Sequence, residues 1–179
     1  MIDIDINDFK NKKVICRESS FFENDLLKYE DKLHNEINDK SVLVIGGAGT
    51  IGSNFIKEIL RFYPKRITVV DRNENGLAEL TRDLRSSYNL EIPSEFKTYP
   101  IDFSDNIFYE IINKKEKYEI IANFAAIKHV RSEKDLYSIS SLLKNNIIYN
   151  YNLMKYLKDF DPNYFFCVST DKAANPVNI

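Results

Sequence analysis

From Ser41 onward the chain alternates short, β-branched apolar runs with longer segments whose apolar residues recur every three to four positions. That alternation predicts successive βαβ units and a parallel sheet. SVLVIG (41–46) predicts a buried first strand, and RITVVD (66–71) a second. Between them, TIGSNFIKEILRFY puts Ile51, Phe55, Ile56, Ile59, Leu60 and Tyr63 on one helical face, with Pro64 closing the helix. ENGLAELTRDLRSSY predicts the next helix, SEFKTYPID a shorter third strand, and SDNIFYEIINKK a helix capped by Ser104 or Asp105. YEIIANFAA (118–126) predicts a fourth strand. YSISSLLKNNIIYNYNLMKYLKDF predicts a long helix ending before Pro162, and NYFFCVST a fifth strand.

Residues 1–40 are acidic and carry no strand signal; FENDLLKYEDKLHNEI (22–37) suits a helix with Leu26, Leu33 and Ile37 facing inward. The expected organisation is a helical extension over 1–40, packed on the α/β domain over 41–179.

With 179 residues, 25 Lys and Arg, and 27 Asp and Glu, the chain has no excess positive potential to hold a phosphate backbone. Nucleic acid is not an expected partner. No apolar stretch approaches the roughly 20 residues of a membrane span, and the N-terminus runs from acidic to basic, the reverse of a secretory leader. A cytoplasmic protein is expected. Cys16 and Cys167 are too few and too distant for a disulfide framework or zinc site, so both are read as free thiols and no metal is expected.

Directly after the first strand comes Gly46-Gly47-Ala48-Gly49-Thr50-Ile51-Gly52, satisfying G-x-G-x-x-G from Gly47. The glycines suit a tight turn, a bare backbone for a diphosphate, and close helix packing, and the helix N-terminus adds a positive dipole end. The strand-turn-helix setting points to a dinucleotide. Asp71, ending the second strand 19 residues beyond Gly52, is placed to accept adenosine ribose hydroxyls. It repels a 2′-phosphate and favours NAD, whereas the neighbouring Arg72 keeps NADP open. Asp102 is expected at the adenine edge, and Asn123, Ala125 and Ala126 along the cofactor path. The expected fold is a Rossmann-like, doubly wound α/β sheet of order 3-2-1-4-5 with an N-terminal helical extension.

On GGAGTIGS (46–53), DRNEN (71–75), NFAAIKHVRSEKD (123–135) and above all VSTDKAANPVN (168–178), the chain resembles the extended short-chain dehydrogenases/reductases. Within them it is similar to the bacterial nucleotide-sugar 4,6-dehydratases of polysaccharide biosynthesis, the CapD-like group. The resemblance implies a lyase reaction in three parts: hydride leaves sugar C4 for NAD, water is lost across C5 and C6, and hydride returns to C6. It implies Thr170 as hydrogen-bond partner of the C4 oxygen, Asp171 as acid and Lys172 as base, with Asn146 as the family's active-site asparagine. Such positioned proton transfers typically contribute about 10²–10⁴-fold. A lysine serves as base once desolvation and a neighbouring positive charge lower its pKa. Lys128, His129 and Arg131 are implied to border the pocket for a nucleotide-diphosphate sugar such as UDP-N-acetylglucosamine.

Members of the group continue after this motif with Tyr or Met, Gly, two residues and Lys, then further strands and a sugar-gripping region. The resemblance therefore implies a truncated sheet lacking its C-terminal part, inactive on its own, from a protein that forms homo-oligomers when complete. Two other readings remain at this stage: an epimerase on the same scaffold, which oxidises C4 without eliminating water, and a non-catalytic dinucleotide-binding domain.

Overall fold

In a computed structural model, residues 9–16, 21–113, 117–127 and 135–169 are described. The chain divides into two compact units, Met1–Glu36 and Ile37–Ile179. In the first, Lys10–Ile15 form a single π-type turn that stops at Cys16 in a left-handed conformation. Helix α1 (Glu23–Ile37) crosses from the first unit into the second. Of its expected inward face, Ile37 is buried and Leu33 half-buried, but Leu26 is exposed.

The second unit is built on five parallel strands: β1 (Ser41–Ile45), β2 (Arg66–Val70), β3 (Glu95–Tyr99), β4 (Ile120–Asn123) and β5 (Tyr164–Cys167). Their order is β3-β2-β1-β4-β5, as expected of a Rossmann-like sheet. Leu43 stands at the centre of β1, opposite Thr68 on one side and Ile121 on the other. Every residue of β1 and β2 is buried, which is why Val42–Ile45 reads as an unbroken apolar run; the buried polar residues of β2 find partners, Arg66 donating to the Lys117 carbonyl and Thr68 accepting from the Tyr118 hydroxyl. Strands β3 and β5 lie at the ends of the sheet and keep exposed positions, including Tyr164 and Phe166.

Helices cover both faces. On one, Phe108 and Ile112 of α4 (Asn106–Ile112) and Leu153 and Leu157 of α6 (Tyr149–Leu157) pack with Leu43, Ile45 and Ile121. On the other lie α2 (Thr50–Leu60) and α3 (Glu74–Ser86), with Ile56, Leu60, Leu77 and Leu80 buried. The helix α5 (Leu136–Leu143) continues into α6 through a π-helical segment, Lys144–Ile148, which the periodicity did not reveal.

Three local expectations are corrected. Tyr63 does not join the α2 core face: the helix ends at Leu60, and Tyr63 takes a left-handed φ of 54° whose carbonyl accepts the Asp39 N–H at 3.0 Å. That conformation turns the Tyr63 ring outward, while Phe62 is buried in its place. Ile51, in the first turn of α2, is also exposed. Asp105 holds the N-cap position of α4, yet neither it nor Ser104 caps the helix through a side chain. Ser104 instead bonds Asp102 through both its N–H and hydroxyl, each at 2.9 Å.

Candidate functional site

The sheet order reverses at β1, between β2 and β4, and in doubly wound sheets the crevice beyond the strand C-termini there is where ligands bind. A cavity of about 330 Å³ opens at this point. Gly46, Gly49, Asp71, Arg72, Asp102, Ala125 and Ala126 line it, bringing together seven of the twelve residues expected to meet a cofactor.

Each glycine of the turn has a different reason. Gly46 has φ +75° and lies so close to β4 that an added Cβ would stand 2.6 Å from the Ala125 nitrogen. An added Cβ on Gly47 would collide with the Val69 side chain, and one on Gly52 with the Gly46 carbonyl oxygen. These three are required by packing alone. Gly49 differs: it has ordinary extended backbone, and its Cβ would touch only the Gly46 oxygen at 3.5 Å. It lines the cavity as the N-cap of α2, and no side chain caps that helix.

Asp71 follows β2 and is half-buried. Its carboxylate accepts the Ala48 N–H at 3.0 Å and the Asn73 N–H at 2.9 Å, so it braces the glycine turn. It does not cap α3; Asn73 does, accepting the Gly76 N–H at 3.0 Å. Arg72 is exposed and lines both this cavity and an adjoining one of about 460 Å³. Asp102 and Asn145 also line both, and Tyr137 and Ser140 of α5, Lys144 of the π segment and Tyr149 of α6 extend the second.

Asn123 is buried at the end of β4, and its side chain turns inward to other protein groups. Its oxygen accepts the Ala125 N–H at 2.9 Å and its amide donates to Asn150 Oδ1 at 2.6 Å. Asn146 lies within the π segment and clasps Ile127: it accepts that residue's N–H at 2.9 Å and donates to its carbonyl at 2.7 Å. Thr50 and Ile51 are exposed beside the cavity, and Thr50's carbonyl accepts the Ser53 and Asn54 side chains. Thr170, Asp171 and Lys172, with Lys128, His129 and Arg131, lie outside the described residues.

Sequence reasoning missed Ile101, Phe103, Phe124 and Asn145, all of which line the cavity. The first three closely follow strand ends, where a doubly wound sheet puts its ligand loops. Asn145 carried no such mark, because its place depends on the π segment. Among the described residues no group of three His, Cys, Asp or Glu side chains gathers as for a metal, and no helix is long and apolar enough to cross a membrane.

Strand order, glycine turn and switch-point cavity define a Rossmann-like doubly wound domain. More narrowly, the chain belongs to the family of polysaccharide biosynthesis proteins, whose model matches residues 42–179. It is 34% identical over 147 residues to an uncharacterized membrane protein of Methanocaldococcus jannaschii, covering 82% of this chain and 41% of that one. Against the capsular polysaccharide biosynthesis protein CapD of Staphylococcus aureus it is 29% identical, covering 82% of this chain and 24% of that one. Against the inverting UDP-N-acetylglucosamine 4,6-dehydratase of Campylobacter jejuni it is 27% identical, covering 79% and 40%. The chain thus spans less than half the length of these relatives.

Among solved structures, Pen from Bacillus thuringiensis matches with a TM-score of 0.63 at 26% identity, covering 79% of this chain and 42% of that one. The Bordetella bronchiseptica enzyme WbmF, determined in complex with NAD+, shares the fold with a TM-score of 0.51 at 21% identity, covering 70% and 34%.

Proposed function

We propose that this chain is the NAD-binding portion of a nucleotide-sugar 4,6-dehydratase of glycan biosynthesis. The carrying observation is Gly49. Among the described residues nothing requires a glycine there, whereas a diphosphate approaching the α2 N-terminus does. The donor set fits such a ligand: bare main chain at Gly46 and Gly49, a carboxylate at Asp71 for ribose hydroxyls, and Ala125 and Ala126 as a low wall. NAD would supply a reversible hydride acceptor for sugar C4.

The chain's own residues take the remaining roles. Asp71 holds the turn by its bond to Ala48 and opposes a 2′-phosphate by like charge, selecting NAD over NADP. Asp171 is assigned proton donation to the departing C6 hydroxyl, and Lys172 removal of the C5 proton, with Thr170 on the C4 oxygen. Lys128 and Arg131 are assigned to substrate phosphates, and His129 to the sugar-nucleotide pocket wall. The dehydratase among the relatives supports elimination over simple epimerisation.

Calorimetric titration of the chain with NAD tests this reading. Saturable binding that disappears in Gly49→Val, with folding retained, is the expected result. A folded wild-type chain that takes up no NAD overturns it.

A further inference from the structure

The helix that follows β4 carries one residue too many for α-helical spacing. At Lys144–Ile148 the hydrogen bonds widen to a five-residue span, with the Tyr149 N–H donating to the Lys144 carbonyl. Such a bulge withdraws amide donors from neighbouring carbonyls, and buried carbonyls need a substitute. Asn150 supplies it, since its side-chain amide donates to the carbonyls of Asn145 and Asn146, each at 3.1 Å. The other end of the same side chain accepts from Asn123 at the end of β4. Asn150 therefore meets the requirement created by the bulge and fixes the bulge's rotation about the sheet.

Asn146, one of the two residues whose carbonyls Asn150 holds, is the residue that clasps Ile127. An α-helix turns about 100° per residue, so removing the bulge would rotate Asn146 by about that angle relative to α6. The clasp would open. With it would go one anchor of residues 124–127, the others being the Phe124 N–H on the Ile45 carbonyl and the Ala125 N–H on Asn123; Phe124, Ala125 and Ala126 wall the cavity at the switch point.

We propose that Asn150 is a positioning residue for that cavity, holding a π-bulge whose purpose is to aim Asn146 at the loop after β4. The link to dinucleotide affinity rests on the proposed NAD reading; the link from Asn150 to the loop does not. Asn123 has a separate share, because its own oxygen anchors Ala125.

Residue-resolved amide exchange on the full chain, followed by NAD titration, tests this. In Asn150→Ala the Ile127 amide is expected to exchange about tenfold faster or more, the scale of one lost hydrogen bond. In Asn123→Ala the Ala125 amide should lose most of its protection and Ile127 only a small part, because Asn150 still holds the Asn145 and Asn146 carbonyls. Asn146→Ala with Asn150→Ala should cost Ile127 no more than Asn146→Ala alone, because the two act in series. Should Asn150→Ala not fold, Asn150→Ser retains a donor for the carbonyl four residues back and should give partial protection.

NAD affinity is expected to fall about tenfold in Asn150→Ala. An Ile127 amide as protected in Asn150→Ala as in wild type overturns the positioning role, as does equal loss of protection at Ala125 and Ile127 in both single variants. A wild-type chain that binds no NAD while Ile127 responds as described overturns the cofactor reading alone.

Discussion

Asp71 Oδ2 accepts the backbone N–H of Ala48 at 3.0 Å, tying the end of β2 to the middle of the glycine turn. The carboxylate therefore shapes the turn before any ligand arrives. Two effects should separate on substitution. Asp71→Asn keeps an acceptor for one amide and removes the charge, so the preference for NAD over NADP should narrow by about tenfold. Asp71→Ala should also lower stability by about 1–3 kcal/mol, since two amides lose their acceptor. Parallel titrations with both dinucleotides and urea denaturation separate the two.

The glycines should sort by cause. Gly52→Ala forces a Cβ against the Gly46 carbonyl and the Gly47 Cα at 2.8 Å, so it should destabilise by about 1–3 kcal/mol. Gly49→Ala meets only ordinary contact and should leave the urea midpoint nearly unchanged while weakening NAD binding. Equal destabilisation by the two would contradict the assignment of Gly49 to a ligand.

Phe108 is fully buried, edge-on to Phe103 and Tyr109 at centroid separations of 6.5 and 5.4 Å. Phe108→Ala should cost about 3–5 kcal/mol. Because Phe103 also lines the cavity, NAD affinity should drop in the same variant, a coupling readable by titration well below the melting point.

Acid should loosen the opposite end of the sheet. Burial works against the charge of Glu119, but the Ser41 N–H and hydroxyl and the Lys40 ammonium at 3.1 Å outweigh it and hold its carboxyl below the usual carboxylate range. A carboxyl depressed in the folded state contributes stability above its unfolded pKa and loses it as pH falls toward the folded value. Glu119→Gln should therefore flatten the decline of the urea midpoint as pH falls from the ordinary carboxylate value toward the lower folded one, and leave the midpoint's trend near neutral pH unchanged. A wild-type slope retained in the variant would assign that decline to other groups.

Strand order and the cavity's principal walls were legible because they follow from patterns with short-range causes. Unbroken apolar runs mark strands covered on both faces, and glycines between a strand and a helix mark a turn. What escaped was set by longer-range geometry. Tyr63 satisfied the helical period, yet its carbonyl is drawn to Asp39 across the turn. Ile51 fitted the same face but lies exposed in the first turn of α2. The π segment has no periodic signature, since it arises from a single inserted residue, and so the pairing of Asn123 with Asn150 was not legible. Phe124 was hidden for a related reason: it reads as strand, but β4 ends at Asn123 and Phe124 turns to Phe55 at 5.1 Å.

The central place of β1 bears on how the chain emerges from the ribosome. Val42 pairs with Ile120, so one edge of the most apolar strand has no partner until much of the domain has been made. At 5–20 residues per second, translating the roughly 80 intervening residues takes on the order of 4–16 s. For that interval the nascent VLVI segment can pair with β2 but offers its other edge to any passing strand, making it the point at which a holding chaperone would protect this polypeptide most.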